Sequence, residues 1–498
     1  MLPKANRYCG SEKLTKSKPG FSEFPASTPR FNRLGSHSDL KPNQLLSPLL
    51  VAMPTSFRRE LEGFIMNQLD QKNKLSLAQV WSRKDLLRNE IVAGLTSFFA
   101  ISYIIIVNPL ILKDAGIPSD LSVFATIFSS VIGCFIMGFY ANAPVVLTPG
   151  MGVNAFFTYT IVVGMGLSWQ TAIAISIIAS GIYAVIAHTR LSTVLATEIP
   201  NSLKSGITAG IGMFLVEIGL QKAGLIVAGK SSLIELGHLT APGPLLALFG
   251  LVLTLVLYIR NVNGGFLIGI IATSVIGVLL KIKDSDSVTV SLLRLVDYPK
   301  IMFKGDFSQL ISVPFILATF SMTMILVFES MGLLQGILPD NRKFKKSFRA
   351  SSISTFISGF LGTSPTVAAA ESASGIESGG RTGVMAITAG VMFTLSLFFV
   401  PLLSYVPQAA IAPVIIITGA IMMEAIGNID MHDFAAWFPA FLIIVLIPLT
   451  NSISTGLAFG FVCYPILRVA SGDGRNLHPA MYVLGGLFLA DLVLSAIL

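Results

Sequence analysis

The stretch G-T-S-P-T-V-A-A-A-E-S-A-S-G, from Gly362 to Gly375, decides how this chain folds. It places Glu371 among small residues in a strongly apolar half of the chain, and Glu329 is the single charged residue of another apolar run, residues 312–334. A carboxylate at membrane depth costs about 3 kcal/mol or more unless it faces a polar cavity. We therefore expect both acids to line the path of a substrate or an ion.

The composition around this stretch is that of a membrane protein. Of the 498 residues, 53% are hydrophobic and 12% are charged, whereas soluble domains carry about 25% charged residues. From near Glu90 onward, apolar runs follow one another with short polar breaks, and a helix needs roughly 20 residues to cross a bilayer. The sequence predicts an all-α polytopic membrane protein. Because much of the net charge of +8 lies in the N-terminal tail and in short loops, it does not indicate nucleic-acid binding.

The apolar runs predict about fourteen transmembrane segments in two sets of seven. Residues 1–82 are expected to form a disordered cytoplasmic tail. This tail could contain a transit peptide, or the true initiator could be Met53 or Met66. Residues 83–282 form the first set, 283–308 a polar connecting loop, 309–470 the second set and 471–498 a last apolar segment. The fourteen segments lie near 91–112, 121–140, 145–163, 168–188, 199–220, 243–260, 264–282, 310–334, 347–361, 364–376, 383–403, 407–426, 433–449 and 452–470.

The two sets look like repeats of one another. In the fifth segment of each, a Pro and a Glu have the same separation, Pro200 with Glu217 and Pro407 with Glu424. The third segments also correspond, since residues 147–157 and 362–372 are both short and interrupted by Pro and Gly or Thr. An odd number of segments per repeat makes the repeats inverted. Interrupted segments at matching positions of inverted repeats indicate a transporter binding site.

The distribution of basic residues predicts the topology. Arg83, Lys84 and Arg88 precede the first segment, so we expect a cytoplasmic N-terminus. Counting forward, the loop after the eighth segment is also cytoplasmic. This loop, Pro339–Arg349, is the most basic short loop in the chain, in agreement with that orientation.

The interrupted segments predict the chemistry of the site. Backbone groups left unpaired between Pro and Gly are tolerated in a membrane only where they pair with each other or line a cavity, so the two stretches could form short strands and direct helix N-termini at one centre. The amide of Asn154 suits the edge of a heterocycle, or it could cap the helix that follows. Glu329 could instead pair with the basic loop at the cytoplasmic interface. Tyr103 and Phe156 could stack on a planar ligand or belong to the core.

The motifs resemble a known family over about residues 85–470. G-M-G-V-N-A-F-F-T-Y-T, the long stretch from Gly362 to Gly383 and F-P-A-F-L-I-I-V-L-I-P-L-T-N-S-I are similar to those of the hypoxanthine–adenine–guanine permeases, the AzgA-like branch of the nucleobase–cation symporters. The resemblance implies that segments 1–4 and 8–11 form a core and segments 5–7 and 12–14 a gate. Many relatives have F-D-T-x-G in the eighth segment, and this chain has F-E-S-M-G, with a carboxylate one methylene further out.

The resemblance also implies the residues of the site. A purine would be held between the eighth segment and the broken third and tenth segments. Glu329 and Glu371 are also the candidates for carrying a coupling proton. The predicted substrate-binding residues are Asn154, Glu329, Glu371, Gly152, Phe156, Thr363 and Ser372.

The sequence thus predicts a proton-coupled importer of hypoxanthine, guanine and adenine in the plasma membrane, with a homodimer left open. Two alternatives of the same architecture are an anion transporter, which two acids in the centre argue against, and a transporter of xanthine or uracil. An integral-membrane enzyme is less favoured, because no His/Asp/Cys or metal-ligand constellation is visible. Neither a metal nor a cofactor is therefore expected.

Overall fold

The computed structural model describes residues 76–229, 234–282 and 291–497. Most of the predicted tail, residues 1–75, and part of the predicted connecting loop lie outside the described residues. The elements of the first repeat are α1 (Leu77–Trp81), α2 (Lys84–Ile101), α3 (Ile104–Asp114), α4 (Ser119–Ile136), β1 (Leu147–Pro149), α5 (Met151–Ala155), α6 (Trp169–His188), α7 (Leu191–Glu198), α8 (Asn201–Lys222), β2 (Ile226–Ala228), β3 (Ile234–Leu236), α9 (Pro242–Ile259) and α10 (Gly265–Leu279).

The second repeat follows a 3₁₀ helix, Leu292–Lys300. π-helical turns extend α4 to Ala141 and α5 to Gly164, and 3₁₀ turns extend α14 and α15 below. The elements are α11 (Val313–Ile337), α12 (Phe344–Phe360), β4 (Thr366–Ala368), α13 (Ser372–Glu377), α14 (Gly383–Ser396), α15 (Gln408–Met423), α16 (Phe434–Thr450), α17 (Ile453–Ala470) and α18 (Pro479–Ile497).

These helices confirm the prediction of a polytopic α-helical membrane protein. Within the described residues, 9 helices are long and apolar enough to cross a membrane, and four shorter apolar helices accompany them. Many large apolar side chains on α9 and α10 are exposed, for example Val252 and Ile271. Side chains of this kind face hydrocarbon in a bilayer, because lipid tails replace the protein contacts that would bury them in a soluble fold.

The two interrupted segments pair as predicted. β1 and β4 are antiparallel, with Thr148 opposite Val367, and the backbone N–H of Gly150 continues the ladder to the carbonyl of Pro365 at 3.1 Å. Each strand is three residues long because the segment around it is broken by Pro and Gly. The pairing satisfies backbone groups that hydrocarbon could not, and it leaves α5 and α13 starting from one central point.

The helices pack in two sets, as the resemblance implies. α2, α4, α6, α11, α12 and α14 contact one another, and α8, α9, α10, α15, α16 and α17 contact one another. We call the first set, with α3, α5 and α13, the core, and the second set the gate. α7 lies between α6 of the core and α8 of the gate along the chain, so it links the two sets.

Two short helices lie in segments that the sequence predicts to be irregular, one in the N-terminal tail and one in the connecting loop. α1 begins at a capping box, in which Ser76 and Gln79 each accept a hydrogen bond from the backbone of the other. This reciprocal bonding stabilises a first helical turn, so the end of the predicted tail, residues 76–81, is helical and not disordered. The 3₁₀ helix Leu292–Lys300 occupies part of the predicted connecting loop, where Arg294 forms a 2.7 Å ion pair with Asp120 at the start of α4.

A polar cluster fixes the start of α14. The carboxylate of Glu90 on α2 accepts hydrogen bonds from the backbone N–H groups of Arg381 at 2.8 Å and Thr382 at 3.2 Å. The ammonium of Lys343, from the basic loop, donates to the carbonyls of Asn142 at 2.8 Å and Arg381 at 2.9 Å. Burial lowers the pKa of Lys343. The basic loop therefore ties together the ends of α4 and α13, directly beside the broken tenth segment.

Candidate functional site

The N-terminus of α5 lies against the carboxylate of Glu329. A Cβ atom placed on Gly150 would be 3.3 Å from Oε1 of Glu329, and one placed on Gly152 would be 3.3 Å from Oε2. The two glycines of the third segment thus let its backbone approach the acid of the eighth segment closely. Unpaired N–H groups and the helix dipole favour negative charge at such an N-terminus.

Glu329 is buried within the core. Its residue is 8% exposed, and Oε2 has no hydrogen-bond partner among the described residues. The alternative that Glu329 pairs with the basic loop is wrong, because the carboxylate lies beside Gly150 and Gly152, whereas Lys343 of that loop binds backbone carbonyls. At the junction of the third and eighth segments, the structure therefore places a carboxylate that has no cationic partner among the described residues.

Asn154 adds an unpaired amide to this junction. It is fully buried on α5, and neither Nδ2 nor Oδ1 has a hydrogen-bond partner within the described residues. The capping alternative is wrong, since Gly150 is the N-cap of α5 and no side chain caps it. A buried amide left unpaired costs about 1–3 kcal/mol. Its donors and its acceptor are available to a ligand that reaches them.

Glu371 lies at the start of α13 and has a partner from the first segment. The hydroxyl of Tyr103 donates a short hydrogen bond to its Oε1. Tyr103 stands in the break between α2 and α3, and its ring packs edge-to-face on Phe266 of the gate helix α10, with 5.4 Å between ring centroids. Glu371 is half-buried and the preceding Ala370 is exposed, so this acid is more accessible than Glu329. Sequence reasoning considered Tyr103 only as a stacking residue.

Three further predicted site residues are engaged within the protein. The hydroxyl of Thr363 accepts a hydrogen bond from the Asn108 amide at 3.1 Å, and that of Ser372 accepts one from the backbone N–H of Val146 at 2.9 Å. Phe156 is fully buried in the core. These contacts hold the broken segments in place, and substrate contact by these residues stays a prediction.

Asn108 is a residue that sequence reasoning missed. Its amide donates to Thr126 at 2.8 Å as well as to Thr363, and its carbonyl oxygen accepts from Ser364 at 3.2 Å. Asn108 thereby ties α3 and α4 to the turn that precedes β4. The signal was present in the sequence, because a single amide interrupts the apolar run I-I-I-V-N-P-L-I-L, and a buried amide in a membrane segment needs partners.

The arrangement has the parts needed to bind a small polar heterocycle. Glu329 and Asn154 come together with Gly150 and Gly152 at the start of α5, and Glu371 lies at the start of α13 beyond the strand pair. Carboxylates accept N–H donors, and an amide can both donate and accept.

The chain is similar to known permeases in sequence and to known transporters in fold. Residues 88–459 match a permease family, Xan_ur_permease. The chain is 44% identical to the nucleobase transporter PlAzg2 of Paenibacillus larvae, over 76% of this chain and 77% of that protein. It is 38% identical to the guanine/hypoxanthine permease PbuO of Bacillus subtilis, over 82% of this chain and 97% of that protein. The fold is similar to the transmembrane domain of the cyanobacterial bicarbonate transporter BicA, with a TM-score of 0.56, 16% identity and coverage of 76% of this chain and 98% of that one.

Proposed function

The chain belongs to this permease family, which makes it a transporter and not an enzyme, and we propose that it imports purine nucleobases by proton symport. The observation that carries the proposal is the close approach of the Glu329 carboxylate to the glycines at the start of α5, beside the unpaired amide of Asn154. Relatives with nucleobase and guanine/hypoxanthine in their names support a purine as the substrate.

The chemistry of a purine fits these groups. A neutral purine presents N–H donors beside ring acceptors, and one carboxylate can accept two N–H bonds while an amide complements another edge. Glu371, on the accessible side, is proposed as the acid that binds purine. Its oxygen already accepts a hydrogen bond from Tyr103, so it is held ready as an acceptor.

The same geometry supports a role for Glu329 in coupling. An ionised carboxylate without a cationic partner is costly in a low-dielectric interior, and Oε2 of Glu329 has no partner among the described residues. Uptake of a proton would remove the charge and lower the cost of moving the core through the membrane. We propose that this proton enters with the purine, which makes transport dependent on a pH gradient.

The fold likeness to a bicarbonate transporter does not carry its substrate to this chain, because an identity of 16% supports the fold alone. Two acids at the centre would also repel an anion. We propose that the transporter lies in the plasma membrane, and the basic loop Arg342–Arg349 supports a cytoplasmic N-terminus. We also propose a homodimer, which is tested by measuring the mass of the purified protein in detergent.

The proposal is tested with purified protein in liposomes. Labelled hypoxanthine should accumulate when the outside is acidic, and a protonophore should abolish the accumulation. Unlabelled guanine, hypoxanthine or adenine should compete, whereas uracil should not. If uracil competes as well as the purines, the substrate class is wrong, and accumulation that persists with a protonophore would rule out proton symport.

The two acids are separated by substitution. Glu371→Gln should weaken purine binding, because Gln offers one acceptor oxygen where the carboxylate offers two. Glu329→Gln should leave part of the binding but reduce accumulation, because Gln cannot take up a proton. Glu424→Gln, at an exposed acid after α15, is the matched control and should behave as wild type. If Glu329→Gln still concentrates purine as wild type does, Glu329 is not the coupling acid.

A further inference from the structure

Helix α18 carries a buried acid outside the candidate site. It lies beyond residues 88–459, which match the permease family, and sequence reasoning treated it only as a last apolar stretch. Asp491 on α18 is 4% exposed. Its Oδ2 accepts a hydrogen bond from the Ser454 hydroxyl at 3.0 Å, and Oδ1 has no partner among the described residues. An ionisable group buried at this depth indicates a function.

The hydrogen bond of Asp491 continues into the core. The oxygens of Ser454 on α17 and Ser321 on α11 are 2.6 Å apart. A hydroxyl has one hydrogen to donate, so when Ser454 donates to Asp491, Ser321 donates to Ser454. The chain of donors therefore runs from the core helix α11, through the gate helix α17, to α18, and it depends on the acceptor at Asp491.

Aromatic side chains connect the same three helices. Phe488 on α18 is fully buried. Its ring packs against Phe320 of α11 with 4.8 Å between centroids, and against Phe461 of α17 with 4.9 Å. Phe461 stacks in turn on Phe328, the residue before Glu329, at 5.4 Å. α18 is thus attached to both α11 and α17, and it also contacts the linker helix α7.

We infer that α18 braces the seam between core and gate, and that Asp491 is a positioning residue for Glu329. Ser321 lies about two turns before Glu329 on α11, so the hydrogen bonds from Asp491 through Ser454 fix the register of α11, and with it Glu329, against the gate. This inference rests on the proposed function. Alternating access moves one helix bundle against the other, so the Ser321–Ser454 contact opens in each transport cycle. Loss of this contact therefore affects the transport rate more than the affinity for purine.

Substitutions separate positioning from simple stability. Asp491→Leu removes the acceptor but keeps the branched shape of the side chain, and Asp491→Asn keeps an acceptor oxygen for Ser454. We expect Asp491→Leu and Ser321→Ala each to lower the maximal rate of pH-gradient-driven purine uptake at least threefold, with purine affinity within twofold of wild type. Asp491→Asn should restore the rate to within twofold. Ser180→Ala is the matched control, because the Ser180 hydroxyl donates only within its own helix, to the carbonyl of Ser176 at 2.6 Å.

The double variant Asp491→Leu/Ser321→Ala decides whether the two residues act through one relay. Its loss should equal that of either single variant, because both break the same chain of hydrogen bonds. The inference would be overturned if the loss of rate in the double variant equalled the product of the two single losses. It would also be overturned if Asp491→Asn were as slow as Asp491→Leu. An unchanged rate with higher thermal stability would also overturn it, since that is the result expected for removal of a buried acid without a role.

A cross-link tests the opening of the seam directly. Cysteines at Ser321 and Ser454, in a background without other cysteines, are close enough to be joined by oxidation. We expect the cross-linked protein to bind purine but not to transport it until it is reduced. Normal uptake by the cross-linked protein would refute the opening of this contact. The proposed function is tested separately with the wild type and Ser180→Ala. If neither takes up purine, the proposed substrate is wrong, and the effect of the cross-link on the movement of α11 against α17 is then measured as a change of conformation.

Discussion

A methyl group added to Gly152 offers a direct test of the contact between α5 and Glu329. In Gly152→Ala, the new Cβ would lie 2.6 Å from Cγ2 of Ile211 and 3.3 Å from Oε2 of Glu329. Ile211 is fully buried on the gate helix α8. The methyl group therefore meets the gate on one side and the proposed coupling acid on the other.

The size of the effect follows from these distances. Carbon atoms in contact prefer a separation of about 3.5–4.0 Å, so the contact with Ile211 has to be relieved by a shift of α5 or of α8. Overpacking of a well-packed interior typically costs about 1–3 kcal/mol. If the purine site bears that cost, affinity falls by a factor of about five to a hundred, and Glu329 has to withdraw from the N-terminus of α5.

The assay is equilibrium binding of labelled hypoxanthine to purified protein, with thermal unfolding measured beside it. Gly332→Ala is the matched control, because Gly332 lies on α11 close to Glu329 and a Cβ there would meet nothing within 4 Å. Ala is favoured over Gly in a helix by about 0.5–1 kcal/mol, so the control should bind as wild type and unfold at the same or a higher temperature. Wild-type affinity in Gly152→Ala would refute the close approach of α5 to the site.

Four further predictions follow from single contacts. Asn154→Ala should weaken purine binding by about 1–3 kcal/mol, measured by equilibrium binding, because a buried amide loses its ligand partner. Tyr103→Phe should change purine affinity at least threefold in the same assay, since the acid of the tenth segment loses the hydroxyl that donates to it. Asp114→Asn removes a 2.6 Å ion pair with Lys222 of the gate; the pair is partly exposed, so uptake should change less than about fivefold, and less still at high salt. A cysteine at Lys346, in a cysteine-free background, should react with impermeant thiol reagents only from the cytoplasmic side.

The broken segments were predictable from sequence because their signal is local. Pro149, Gly150 and Pro365 interrupt apolar runs, and a membrane permits such interruptions only where the freed backbone groups find partners. The pairing of β1 with β4 follows from that constraint and from the matching position of the two stretches. The fold class and the inverted repeats were predictable for the same reason, since they depend on the length and order of apolar runs.

The partners of individual side chains were not predictable in this way. α11 is apolar on nearly every side, so its sequence does not reveal which face carries Glu329 toward α5 or Ser321 toward α17. The basic loop Pro339–Arg349 gives a second example. Ser347 looks like a residue of an exposed basic loop, yet it is fully buried as α12 begins. A cysteine at Ser347 would therefore resist reagents on either side, which is why Lys346 is the better reporter.

The two central acids differ in what holds them, and this difference supports their proposed roles. Glu371 has a hydroxyl donor from Tyr103 and stands beside the exposed Ala370, so it is held by a hydrogen bond and is the more exposed of the two acids. Glu329 lies deeper, against the backbone of Gly150 and Gly152, with one oxygen unpaired among the described residues. A buried charge without a cationic partner among the described residues is stabilised by taking up a proton. Contacts through Phe461 and Ser454 connect α18 to α11. Helix α11 therefore carries Glu329 and is also held against the gate, so protonation of Glu329 would act on the helix that moves.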